Sequence, residues 1–134
     1  MEWKAEYATG IPEIDLQHKT LLQFITDFER AVKGEMHWNT VQPLIVRARE
    51  FVTFHFAVEE SLMQICNYPQ LAAHRAEHQS ALKQFAALEQ RVLRQEKINE
   101  LLRELSSWLF DHIIESDKPF ARHALNSYRE ANAA

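Results

Sequence analysis

The chain has 134 residues, 46% hydrophobic and 25% charged, with two glycines, four prolines, one cysteine and a formal net charge of -4. That length allows one domain (1–134) with a real core but not two, and the acidic balance argues against a nucleic-acid surface, which needs a concentrated basic face. No apolar run could cross a bilayer, the stretch around Trp3 lacks the apolar core of a signal peptide, and Cys66 has no partner for an internal disulfide, so a cytoplasmic protein is expected.

With so few breakers and so much Ala, Leu, Glu, Gln, Arg and Lys, the chain predicts an all-α fold. Residues 1–12 carry Trp3, Tyr7, Gly10 and Pro12 without a sustained period and read as an arm anchored by its aromatics rather than a helix. From Pro12, Ile14, His18, Leu21, Ile25, Phe28 and Val32 recur at helical spacing, and Gly34 is a plausible stop. A loop from Glu35 to Asn39 contains His37, which reads as a solvated surface residue. The second helix begins near Thr40, tolerates Pro43 in its first turn, and has the seam Val41, Ile45, Ala48, Val52, His55, Glu59, Leu62 and Cys66, with Cys66 as a small core residue near its end. Asn67-Tyr68-Pro69 breaks the chain, and a third seam follows through Leu71, His74, His78, Ala81, Phe85, Leu88 and Val92.

After a break at Gln95 to Lys97, a fourth seam runs Ile98, Leu101, Leu105, Trp108 and His112, backed by Leu102, Leu109 and Ile113. Pro119 disfavours continuing this helix, so Asp117 is expected at or just beyond its end. A short terminal helix in 118–134 should cover the bundle with Phe120, Ala124 and Tyr128, leaving His123 superficial.

Helices of roughly 20 residues joined by short connections pack as antiparallel neighbours, up, down, up, down, which predicts a four-helix bundle over 13–117. That topology brings His18, His55, Glu59, His74, His78, His112 and Asp117 to one end of the core. Two of these positions are carboxylates, and buried carboxylates need a hydrogen-bonding network or a metal beside them. Imidazole and carboxylate together suit zinc, iron, copper or manganese, but seven ligands are too many for one zinc, so two metals are implied. If Glu59 and Asp117 bridge both ions together with a hydroxide, five histidines complete one ion and leave one position of the other open. His74-Arg75-Ala76-Glu77-His78 also matches the inverted zinc-protease pattern, but Glu77 turns about 100° off the seam and reads as solvent-facing.

The chain resembles the hemerythrins, most closely their single-domain bacterial form. The resemblance spans nearly the whole chain and rests on the Trp3 and Tyr7 arm, Ile14-Asp15-Leu16-Gln17-His18, His55-Phe56-Ala57-Val58-Glu59-Glu60, His74-Arg75-Ala76-Glu77-His78, and Trp108 followed by His112-Ile113-Ile114-Glu115-Ser116-Asp117. It implies two iron ions joined by an oxo or hydroxo bridge, one held by His74, His78 and His112, the other by His18 and His55, with Glu59 and Asp117 bridging and dioxygen binding reversibly at the second.

Around the open iron the expected residues are Leu21, Phe56, Trp108 and Leu109, all apolar. Such a pocket limits water and proton access, and no general acid is evident in it, which favours reversible binding over oxidase chemistry. The ferritin-like oxidases also use Glu-x-x-His pairs that these seams lack. The expected role is therefore not enzymatic: a monomer that carries, stores or scavenges dioxygen, with transfer to an oxygen-consuming enzyme as one outlet. The alternatives are an oxygen sensor, which would normally need an attached output domain that this chain lacks, and a di-iron enzyme acting on peroxide or nitric oxide.

Overall fold

A computed structural model describes residues 2–35 and 37–133; Met36, in the loop expected before the second helix, and the Trp38 side chain lie outside the described residues. The order is α1 (Pro12–Val32), α2 (Val41–Ile65), α3 (Leu71–Leu93), α4 (Asn99–His112), a π-helical turn (Ile113–Asp117) and α5 (Lys118–Ala133), with no strand among the described residues. The first helix packs on α2 and α4, and α3 packs on the same two, so the four close into a bundle. Neighbours run antiparallel: the start of α1, the end of α2, the start of α3 and the end of α4 share one layer.

The helix ends follow from local chemistry. Pro12 opens α1 at a position that needs no donor, with Glu13 and Asp15 in the positive first turn. Three helices end in the same way, with a left-handed residue just past the cap: Gly34 (φ 79°), Asn67 (φ 53°) and Gln95 (φ 57°). In each, the following N–H reaches back to the last turn, as Tyr68 N to Met63 O at 2.9 Å and Glu96 N to Arg91 O at 2.9 Å. The bundle end away from the shared layer is an apolar core that includes Phe28, Val41, Ile45, Leu88, Val92 and Ile98, all buried.

Several sequence expectations change in detail. The arm holds one 3₁₀ turn, Ala5–Tyr7, and is pinned by Tyr7 against Phe110 and by Asp15, whose carboxylate accepts from Thr9 N and Thr9 Oγ1, both at 2.8 Å. Gly10 (φ 91°) lets the arm pass α5, where an added Cβ would lie 3.2 Å from Leu125. Seams drift at their ends: Met63 is buried where Leu62 and Cys66 are half-buried, and Ala31 replaces Val32, because a straight helix of 3.6 residues per turn precesses around its own face.

Pro119 does not interrupt the helix. It is the second residue of α5, directly after the π turn, where the hydrogen-bond ladder is already changing register and a missing N–H disrupts least. The fifth helix has 16 residues, longer than the short cap expected, and buries Phe120 and Ala121, while Tyr128 is 69% exposed. His123 is not superficial: half-buried, it places Nε2 2.8 Å from the Cys66 carbonyl and so ties α5 to the end of α2.

Candidate metal centre

Residues four apart on an α-helix share a face, which is why His55 and Glu59 on α2, and His74 and His78 on α3, point into the same layer. His112 and Asp117 are five apart, a spacing that would turn them about 140° from each other on a regular helix. The π turn solves this: Lys118 N bonds to Ile113 O, five residues back, and the wider turn brings both side chains inward. All seven predicted ligand residues are buried, with His18 and Glu59 at 0% exposure.

They fall into two overlapping groups, Glu59, His74, His78, His112 and Asp117, and His18, His55, Glu59 and Asp117, with the candidate donor atoms of each group within 4.8 Å of one another. Asp117 spans both. Its Oδ1 is 2.9 Å from His74 Nε2 and 3.1 Å from His112 Nε2, while Oδ2 is 3.0 Å from His18 Nε2. Glu59 Oε1 is 3.1 Å from His78 Nε2 and 3.4 Å from His55 Nε2, and Oε2 is 3.7 Å from His18 Nε2. Close as they are, the Nε2 atoms of His18, His74, His78 and His112 and all four carboxylate oxygens make no aligned hydrogen bond. Buried polar atoms are rarely left so, and lone pairs converging on common centres fit a pair of metal ions better than they fit a proton network.

The protonation pattern reflects this crowding. Burial would push the His18 imidazole down, but Asp117 and Glu59 outweigh it and raise it to about 9. For His55 burial wins over Glu59 and lowers it to about 4. Burial would raise the Asp117 carboxyl, yet His112, His18 and His74 hold it well below the usual carboxylate range. Burial and Asp117 likewise push Glu59 up, and the histidines around it bring it below its ordinary value. Both acids are thus favoured in the anionic form that a metal ligand requires.

The far nitrogens are held by residues the sequence did not single out as partners. Gln17 on α1 accepts from His55 Nδ1 at 2.7 Å, Glu60 on α2 from His78 Nδ1 at 3.0 Å, and Glu77 on α3 from His112 Nδ1 at 2.7 Å. Glu77 is thus not merely solvent-facing, although 43% of its side chain remains exposed; it also accepts from Ser116 Oγ at 2.8 Å. Arg75 Nε donates to Glu60 at 2.8 Å. The available signal was adjacency: each of the three sits next to a ligand, at the edge of the seam where a helix meets its neighbour, and metal-bound imidazoles usually need an acceptor at the other nitrogen.

Leu21, Phe56, Trp108 and Leu109 all line one apolar cavity of about 30 Å³, which continues past Val52, Ala81 and Phe85 to Phe28, Leu102 and Leu105. It has room for a water or a diatomic molecule, but its hydrophobic lining offers water few partners. Phe56 lies flat on His78, with ring centroids 3.8 Å apart, and Trp108 lies flat on His112 at 4.5 Å, so the cavity abuts the ligand layer. His37 is exposed, and burial pushes the half-buried Cys66 thiol up, away from the reactive thiolate; neither belongs to the ligand groups. Among the described residues no helix is long and apolar enough to cross a membrane.

The Hemerythrin HHE cation binding domain matches residues 9–124. The bacteriohemerythrin of Stenotrophomonas maltophilia is 33% identical, covering 89% of this chain and 78% of its own length. That of Clostridium acetobutylicum is 27% identical, covering 88% and 96%. The crystal structure of a wild-type hemerythrin superposes with a TM-score of 0.83 at 27% identity, over 92% of this chain and 97% of that one.

Proposed function

The chain belongs to the hemerythrin family, and from that premise we propose that it holds two iron ions and binds dioxygen reversibly, for carriage, storage or scavenging. His74, His78 and His112 would hold one ion, His18 and His55 the other, and Glu59 and Asp117 would bridge them. The observation that carries this reading is the pair of ligand groups sharing two buried carboxylates whose oxygens have no hydrogen-bond partner. When bound, the two ions would supply reversible redox chemistry for dioxygen.

What the chain itself contributes is binding, orientation and exclusion. Gln17, Glu60 and Glu77 set the tautomer and angle of three imidazoles. Leu21, Phe56, Trp108 and Leu109 keep the approach apolar, and no carboxyl, imidazole or hydroxyl lines the cavity to deliver a proton. That absence favours release of dioxygen unchanged over its cleavage, which needs protons supplied to both oxygens.

The test is an iron-loaded sample prepared without oxygen, exposed to oxygen, then purged, with the visible spectrum followed throughout. A band that forms and vanishes over repeated cycles, with two iron ions per chain, is expected. A band that bleaches once and does not return, or sustained consumption of peroxide or nitric oxide, would replace the carrier reading with an enzymatic one.

A further inference from the structure

The two halves of the centre differ in what stands behind their histidines. His78 donates Nδ1–H to the Glu60 carboxylate at 3.0 Å and lies flat on Phe56, while His112 donates to Glu77 at 2.7 Å and lies flat on Trp108. Both carboxylates are themselves held, Glu60 by Arg75 and Glu77 by Ser116. In the other half His55 has only the neutral amide oxygen of Gln17, and His18 Nδ1 is buried without a partner. An anionic acceptor at Nδ1 makes the Nε2 lone pair a stronger donor to a metal and fixes the ring, and an amide does this less.

We propose that Glu60 and Glu77 are positioning residues that make the His74, His78 and His112 half the tight half of the centre, so that ferrous ion fills it first and the His18 and His55 half second. The inference rests on the two-metal reading above and deepens it. Three imidazoles against two already favour the same order, so the decisive evidence is not the order alone but how substitutions behind the ligands move each step.

The experiment is an anaerobic ferrous-ion titration of the metal-free full chain by calorimetry, with thermal unfolding of each metal-free variant alongside. The parent should take up two ions in two resolved steps. Glu77→Gln and Glu60→Gln should each weaken the first step by roughly 10-fold to 100-fold and leave the second nearly unchanged. Gln17→Glu, which places a carboxylate behind His55, should tighten the second step by about 10-fold. That gain is one a merely structural role would not give, and it decides the matter alone if a Glu→Gln variant fails to fold. Two ions bound in indistinguishable steps, equal weakening of both steps, or no tightening by Gln17→Glu would overturn the inference. Saturation at one ion per chain would instead overturn the two-metal reading on which it rests.

Discussion

The two ends of the bundle are equally buried and chemically opposite. At one end Phe28, Val41, Ile45, Leu88, Val92 and Ile98 are buried together in the apolar core, and burial itself is the stabilising term. At the other, the same four helices and the adjoining π turn bury five imidazoles and two carboxylates, most of whose inward atoms have no hydrogen-bond partner. A buried polar atom left unpaired costs about 1–3 kcal/mol, so this end contributes less to folding than the apolar one, even with the attraction between its histidines and carboxylates, unless something binds the converging lone pairs. One end holds the fold by apolar burial, and the other is suited to a metal site.

The largest expected effect comes from removing the metal. Chelation should lower the unfolding temperature on the order of 10 °C or more, since about 4 °C corresponds to 1 kcal/mol for a chain of this size. Hydrogen exchange should locate the loss: amides near 52–60 and 71–80 should lose protection while those near 41–48 and 85–92 keep it. Uniform loss along the helices would break the comparison. Its complement is Leu88→Ala, at a fully buried position of the apolar end. We expect a cost of about 2–5 kcal/mol, equal with and without metal, and an unchanged metal-to-protein ratio. Loss of metal in that variant would mean that the ends are not separable.

Leu109→Ala sharpens the boundary between the two ends, since Leu109 lines the cavity beside the ligand layer without being a ligand. Iron content should stay the same, the stability cost should be about 2–3 kcal/mol, and the oxygenated spectrum should decay several-fold faster as water gains access. His37→Ala, at an exposed position away from the centre, is the control. Equal lifetimes for Leu109→Ala and the parent would remove the shielding role. The smallest effect is expected from Gln95→Gly, which relieves a left-handed residue at the end of α3. Denaturant unfolding should find a gain of roughly 0.5–1 kcal/mol, the same in metal-free and metal-loaded protein.

The convergence of the candidate ligand residues was legible in the sequence because helical spacing is nearly invariant: histidines and a glutamate on apolar seams have few places to point but inward. The acceptors behind them were harder to read. Glu77, about 100° from its seam, was assigned to solvent, but in a bundle that angle also faces the adjoining helix, and only three-dimensional packing reveals that His112 lies there. The same geometry joins Gln17 to His55 and Glu60 to His78, so each acceptor serves the helix after its own. Drift of the seams at Met63 and Ala31 reflects accumulated precession, which a fixed count of threes and fours cannot follow. Pro119 misled because the rule against proline assumes an unbroken α ladder, and the ladder here is widened one turn earlier.

That widened turn has a consequence for how the chain can vary in length. A π turn is equivalent to one extra residue inserted into a helix, so deleting any one residue between Ile113 and Ser116 would let the α ladder close without a gap. Helix content would barely change, and a circular dichroism spectrum would look intact. The remaining aspartate would then lie four positions after His112, the spacing that already sets Glu59 on the face of His55, and because the π turn absorbs its extra residue, α5 would keep its phase, with Phe120 still beside Tyr68 and His123 still at the Cys66 carbonyl. In this segment the π turn lets the spacing from His112 to Asp117 grow by one residue while the carboxylate and the closing helix keep the directions a regular helix would give them.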